Sequence, residues 1–157
     1  MSNQKYSIRI AEIKDAPALV HMALDYLREA EGKELTEQDK AGVASSILRG
    51  MATQAVIILI AERPKKRGLV EEIGYSVFDI RDNIYGRLIA WGHHIYVKPE
   101  HRGGNVAVSM IKLAEALSLS LGAVEAYIDT ARPALFKRKF GYKDKYVVVS
   151  KRLGGNE

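Results

Sequence analysis

Two adjoining stretches of this sequence carry residue types able to do chemistry. Gly92-His93-His94 lies in a run of β-branched and aromatic residues, Leu88 to Val97, which leads into Lys98-Pro99-Glu100-His101-Arg102-Gly103-Gly104-Asn105-Val106-Ala107. A helical stripe follows, with apolar side chains at Val106, Met110, Ala114, Leu117 and Leu121. A glycine-bearing turn that opens a helix aims several free backbone N–H groups at one point, and the helix end adds about half a unit of positive charge. Such a place suits a phosphate or pyrophosphate. Glycine lets the anion reach the backbone, and Arg102 stands where a cation can cover it. The residues alone also fit an ordinary strand-to-helix connection.

The histidines offer a second chemistry. An imidazole titrates near 6.5 and is suited to take a proton from an amine near neutral pH. Strand alternation puts Trp91, His93, Ile95 and Val97 on one face and Gly92, His94 and Tyr96 on the other. His93 is then either a general base or a cleft-lining residue, and His94 a packed, hydrogen-bonded histidine pointing the other way. Neighbouring strand histidines cannot converge on one metal, and no carboxylate or cysteine joins them at ligand spacing, so no metal site is expected. His101 lies in the turn, able to touch a phosphate but expected as an exposed loop residue. His21 belongs to the first helix.

The elements that position these residues follow from periodicity. Tyr6–Glu12 alternates as a short strand. Asp15 is placed to cap a helix with Pro17 in its first turn and Gly32 at its end. Thr36 caps a second helix, with Asp39 completing a capping box and Gly50 closing it. Gln54–Glu62, with Val56-Ile57-Ile58-Leu59-Ile60, reads as a strand buried on both faces. Val70–Ile80 and Leu88–Val97 are strands separated by the turn at Asp82-Asn83 and Gly86. The glycine turn and a helix to about Leu121 follow, ended by Gly122; then come a strand at Val124–Thr130, a helix begun by Pro133, and a last strand at Tyr146–Arg152. The order is β-α-α-β-β-β-α-β-α-β.

Size and composition bound what this arrangement can be. With 157 residues, 47% of them hydrophobic, the chain reads as one domain over 1–157 with a core of its own. No apolar run is long enough to span a bilayer, and Met1–Ala11 has no signal-peptide pattern. The absence of cysteine removes disulfides and any cysteine nucleophile and fits a reducing cytoplasm. The net charge is +5, part of it in Lys65-Lys66-Arg67, where Pro64 and Gly68 mark a turn, and part in Lys137-Arg138-Lys139. We read these as a solvated hairpin tip and as surface suited to a polyanionic ligand, rather than as a nucleic-acid face; no interleaved aromatic and basic pattern marks a single-strand platform.

The stretch Val97 to Ala107, read as V-x-P-E-x-R-G-x-(G/N)-x-(G/A), resembles the pyrophosphate-binding motif of the Gcn5-related N-acetyltransferases, in a form similar to short single-domain members from bacteria and their phages. A second marker keeps the register. Ala134-Leu135-Phe136-Lys137-Arg138-Lys139-Phe140-Gly141-Tyr142 looks like the family's helix ending in Y-x-x-x-G-F. The resemblance covers most of the chain. It implies an α/β (α+β) fold with a mixed, mostly antiparallel central sheet flanked by helices, and transfer of an acetyl group from acetyl-CoA to a primary amine by direct attack. It also implies that the strands flanking the third helix run parallel and then splay, with the pantetheine arm in the gap. Ile95, Tyr96 and Val97 would hold that arm, and Arg102, Gly103, Gly104, Asn105, Val106 and Ala107 the pyrophosphate. Thr130 would bond the pantetheine, Phe136 would line the cofactor, His93 would serve as base, and Lys137 or Tyr142 would protonate the departing thiolate.

The sequence departs from the family at three places. Asn105 stands at a glycine position, where it is the side chain that best tolerates left-handed backbone. Lys137 replaces the usual tyrosine, and Thr130 an asparagine. These departures motivate a second reading, a catalytically inactive acyl-CoA-binding or protein-interaction module of the same fold. The acceptor is expected at the first two helices and their joining loop. There Glu29, Glu31, Glu34 and Glu37 are either a solvated cluster or an attraction for a cationic amine. Family members are often dimers, and a homodimer is left open.

Overall fold

A computed structural model describes residues 6–32, 34–53, 55–130 and 133–144. The elements are β1 (Ser7–Ile10), α1 (Ala16–Glu31), α2 (Glu37–Ala52), β2 (Val56–Pro64), β3 (Val70–Asp82), β4 (Leu88–Val97), α3 (Val106–Ser120), β5 (Glu125–Ile128) and α4 (Pro133–Phe140). Their order is the expected one as far as α4; the strand expected at Tyr146–Arg152 lies outside the described residues. The five strands form one sheet in the order β1-β2-β3-β4-β5. Neighbours are antiparallel except β4 and β5, which run parallel, so the sheet is mixed and mostly antiparallel.

The β-rich run in β2 is buried on both faces, as its lack of polar residues requires. Ile58 and Ile60 pack with Leu19, Met22, Ala23 and Ile47 beneath α1 and α2. Ile57 and Leu59 pack with Phe78, Ala90 and Ala114 beneath α3. Each such fully buried side chain contributes about 1.5–3 kcal/mol from removal of its surface from water. Helices on both faces therefore clamp the sheet, and β4 carries a different chemistry on each face.

Local signals fix most helix ends. Thr36 and Asp39 form the expected capping box, Thr36 Oγ1 accepting from the Asp39 amide at 3.1 Å and Asp39 accepting from the Thr36 amide at 2.8 Å. Gly32 ends α1 at φ 64°. Two expectations fail. Asp15 does not cap α1: its carboxylate accepts from the Arg9 guanidinium at 2.6 and 2.9 Å and from the Glu12 amide at 2.7 Å. Arg9, which also bonds Glu62, holds the Asp15 carboxyl below the usual carboxylate range. This buried cluster ties β1, β2 and the start of α1 together. Nor does Gly50 close α2, which runs on to Ala52.

Candidate functional site

The glycine turn forms where β4 ends. Pro99–His101 make one turn of 3-10 helix, Arg102 is extended, and Gly103 takes φ 85°, a left-handed conformation that a side chain would resist. Asn105 itself has φ −96° and ψ 5°. The left-handed tolerance invoked for Asn105 is thus not needed, because Gly103 absorbs the strain two residues earlier. The Asn105 side chain makes no capping bond, and no acidic residue stands in the first turn of α3. Nothing lies within 4 Å of where a Cβ would be at Gly103 or Gly104. The turn is therefore open at both glycines, and the first amides of α3 are left without a side-chain cap, as a helix start suited to an anion would be.

Arg102 is engaged by side chains and backbone around the end of β4. Its Nε donates to the Val97 carbonyl at 2.7 Å, and its Nη2 donates to both carboxylate oxygens of Glu29 at 2.8 Å. Its guanidinium also lies 5.4 Å from the centre of the Tyr96 ring. Arg102 thus strings the end of β4 to α1. Glu29 is consequently part of this tie, and Glu37 pairs with Lys40 on its own helix. His101 is not the exposed loop histidine expected. Its side chain is 6% exposed, with Nε2 3.8 Å from Glu71.

Pairing of β4 with β5 runs from Ile89–Glu125 to Gly92–Ile128, and the Asp129 amide then bonds the Gly92 carbonyl at 3.2 Å. Among the described residues, no paired register with β5 continues along His93 to Val97, although β4 itself does. Ile95 and Val97 turn their side chains toward α3 and Tyr96 toward α1, leaving the main chain along the gap.

The register of β3 and β4 breaks just where the histidines stand. Val77 pairs with His94 and Phe78 with Gly92, so His93 is the extra residue of a β-bulge. The bulge overturns the expected alternation. Gly92, not His93, shares the α3 face with Ile95 and Val97, since a Cβ on Gly92 would meet the Phe78 ring at 2.8 Å and Ile128 at 3.2 Å. Trp91 and His94 share the opposite face. His93 turns to that face too, its Nε2 2.7 Å from Asp79 Oδ2. A carboxylate only accepts, so the neutral imidazole carries its proton on Nε2 and keeps the lone pair on Nδ1.

Around this pair the face is aromatic and charged. Trp91 stacks on Tyr127 at 5.3 Å and 12°, donates to Asp129 at 2.8 Å, and lies under the Arg81 guanidinium at 4.2 Å. His94 packs 4.8 Å from the Tyr26 ring, with Nδ1 3.3 Å from the Tyr75 hydroxyl. Burial first, and the adjacent His93 second, lower the His94 pKa below its ordinary value. Burial raises that of Tyr75, which stays a neutral phenol.

The remaining candidates lie on α4, just after it, or just beyond β5. Lys137 on α4 pairs with Asp144. The Tyr142 hydroxyl donates to Glu115 on α3 at 2.7 Å, and its burial makes it a weaker acid than an ordinary phenol. Phe136 packs against Phe140 and Tyr142. Thr130 is exposed just beyond β5. Asp79, the partner that orients His93, escaped the sequence reading. Gly92 was its available signal, since an isolated glycine inside a strand marks a bulge.

No family model matches the sequence, and no curated protein does. Solved structures do match. A Trypanosoma brucei acetyltransferase aligns over 95% of this chain and 100% of its own, with a TM-score of 0.68 and 20% identity. A ribosomal-protein-alanine N-acetyltransferase from Brucella melitensis aligns over 95% and 99%, with a TM-score of 0.72 and 15% identity. An aminoglycoside N-acetyltransferase in complex with CoA aligns over 95% of each chain, with a TM-score of 0.73 and 15% identity. The mixed five-stranded sheet with helices on both faces is the acyl-CoA N-acyltransferase fold of the Gcn5-related acetyltransferases.

Proposed function

We propose that this chain is an N-acetyltransferase that moves an acetyl group from acetyl-CoA to a primary amine by direct attack. The observation that carries the proposal is the conjunction, on one strand, of a bulged histidine oriented by a carboxylate and an open strand edge that leads to a glycine-bearing helix start. Acetyl-CoA supplies the activated acyl group as a thioester. The amides from Gly103 to Ala107 would hold its pyrophosphate, and the main chain from Ile95 to Val97 its pantetheine arm, with Thr130 and Phe136 at the far side of the gap.

The protein's own part is positioning and proton handling. A lysine-like ammonium, of pKa about 10.4, must lose a proton to attack, and Nδ1 of His93 is the lone pair available to take it, directly or through a water. Asp79 fixes the tautomer and steadies the ring once charged. The amine nitrogen then bonds to the carbonyl carbon and sheds its remaining extra proton to water, the carbon–sulfur bond breaks, and the thiolate takes a proton from water. Because a bulge leaves a backbone group outside the ladder, the His93 amide is suited to polarise the carbonyl.

The reading of a fold without catalysis is favoured by one observation. Both side chains expected to protonate the thiolate are engaged elsewhere, Lys137 with Asp144 and Tyr142 with Glu115. A thiol titrates at about 8.5, so near neutral pH a released thiolate takes its proton from water without a dedicated donor, and we give the transferase reading precedence. Thiol release from acetyl-CoA in the presence of a panel of primary amines separates the two. Turnover that is lost in His93→Ala supports transfer; bound acetyl-CoA with no acetylated amine supports the binding module.

A further inference from the structure

Between α1 and α2 lies a cavity of about 360 Å³ that opens to solvent. Its apolar lining comes from Ala23 and Leu27 on α1, Leu35 in the joining loop, and Val43 and Ile47 on α2, with Gln38, Asp39, Ser46 and His94 adding polar atoms. Among the described residues, His94 is the sheet's contribution. Glu29 is taken up by Arg102, and Glu37 by Lys40. Asp39 borders the cavity, but its carboxylate accepts from the Thr36 amide and hydroxyl as part of the helix cap. Away from Asp39 these walls offer a buried charge no opposite charge, whereas an apolar group would gain from them.

We propose that this cavity takes a compact apolar group carried by the acceptor, so that the substrate is a hydrophobic primary amine, with one ring or a branched alkyl chain, rather than a polycation. The proposal rests on the transferase reading for its catalytic meaning. His94 forms the sheet side of the cavity and adjoins the bulged His93 in β4, and on this proposal the occupant's amine extends from the cavity toward the bulge. The volume is at the small end of small-molecule sites, which sets the size of the group. Gln38 and Ser46 supply the few polar contacts that orient it.

Gly42 provides the test. It lines the cavity from α2, and nothing lies within 4 Å of where its Cβ would be. Gly42→Leu therefore places its Cβ without collision and adds bulk at the cavity wall, and replacing a glycine inside a helix favours the helix. Phenethylamine and spermidine are the probes. Binding is read from the imidazole resonances of His94 by NMR, and transfer from thiol release. We expect phenethylamine to shift the His94 resonances in the wild type and not in Gly42→Leu. We also expect about a tenfold or greater rise in KM for phenethylamine in that variant, with acetyl-CoA affinity unchanged. Phenethylamine binding without any transfer would leave the cavity's specificity standing and remove the transferase reading. Transfer to spermidine with no response of His94 to phenethylamine, or equal behaviour of wild type and Gly42→Leu, would overturn the proposal.

Discussion

His93 and Asp79 stand on different strands, yet Nε2 of the imidazole and Oδ2 of the carboxylate are 2.7 Å apart because a bulge in β4 turns His93 to the face of β3 that carries Asp79. Both side chains are about one-third exposed, 32% and 34%, so substrate and water can reach them. The pair does two things at once. It selects the tautomer, leaving the lone pair on Nδ1, and it holds the ring at the middle of the strand.

Removing the imidazole should lower kcat by about 10²- to 10⁴-fold, the usual worth of a positioned general base, while leaving the acetyl-CoA dissociation constant unchanged. Asp79→Asn should behave differently from a merely structural change. Its amide can donate to Nε2, which moves the proton to Nδ1, so kcat should fall with little change in KM, and Asp79→Glu should restore part of it. Steady-state kinetics on the three variants decides this. An unchanged kcat in His93→Ala would assign the proton to another group.

Arg102 and Glu29 form the second tie, between the end of β4 and α1. Both are 45% exposed, so their pairing stabilises the fold by no more than about 1 kcal/mol. It does set where the guanidinium points. Glu29→Gln should free Arg102 for the phosphates and tighten acetyl-CoA binding by up to about fivefold. Arg102→Ala should weaken it. Calorimetric titration of both variants reads this directly; equal weakening in both would show that the pair acts only by holding α1 in place.

The two glycines of the turn should separate stability from binding. Gly103 has φ 85°, so Gly103→Ala should cost about 1–2 kcal/mol in unfolding free energy. Gly104 lacks that constraint and faces open space, so Gly104→Val should leave stability within about 0.5 kcal/mol and still weaken acetyl-CoA binding. Denaturant unfolding beside calorimetry distinguishes them. Tight binding by Gly104→Val would exclude the turn as the phosphate site.

His94 makes stability depend on pH. Its native pKa lies below the ordinary value, mainly through burial and then through His93. The unfolded chain therefore binds a proton that the folded chain refuses. The stability due to this group is complete above about pH 6.5 and declines as pH falls toward the lowered native value. His94→Gln, which keeps a polar partner for Tyr75, should flatten the decline between about pH 7 and about pH 5 in thermal unfolding. Parallel curves for wild type and variant would contradict the burial argument.

The fold was largely legible because its signals are local. The buried run of β2, the capping box at Thr36 and Asp39, and the glycine turn before α3 each specify an element without help from the rest of the chain. The site was legible only in part. His93 stood out as a candidate from its position in β4, but its orientation did not, because alternation assumes an unbroken ladder and the bulge depends on how Phe78 packs over Gly92. The pairings of Asp79 with His93 and of Glu29 with Arg102 were hidden for a related reason. They come from tertiary register, which no single segment encodes.

The most direct test of the account is titration of acetyl-CoA into the folded protein by calorimetry, with Gly104→Val as the paired control. The account predicts one-to-one micromolar binding by the wild type and clear weakening by the variant at unchanged thermal stability. No heat of binding from folded wild-type protein would contradict it: the turn at the start of α3 would then be a strand-to-helix connection and nothing more.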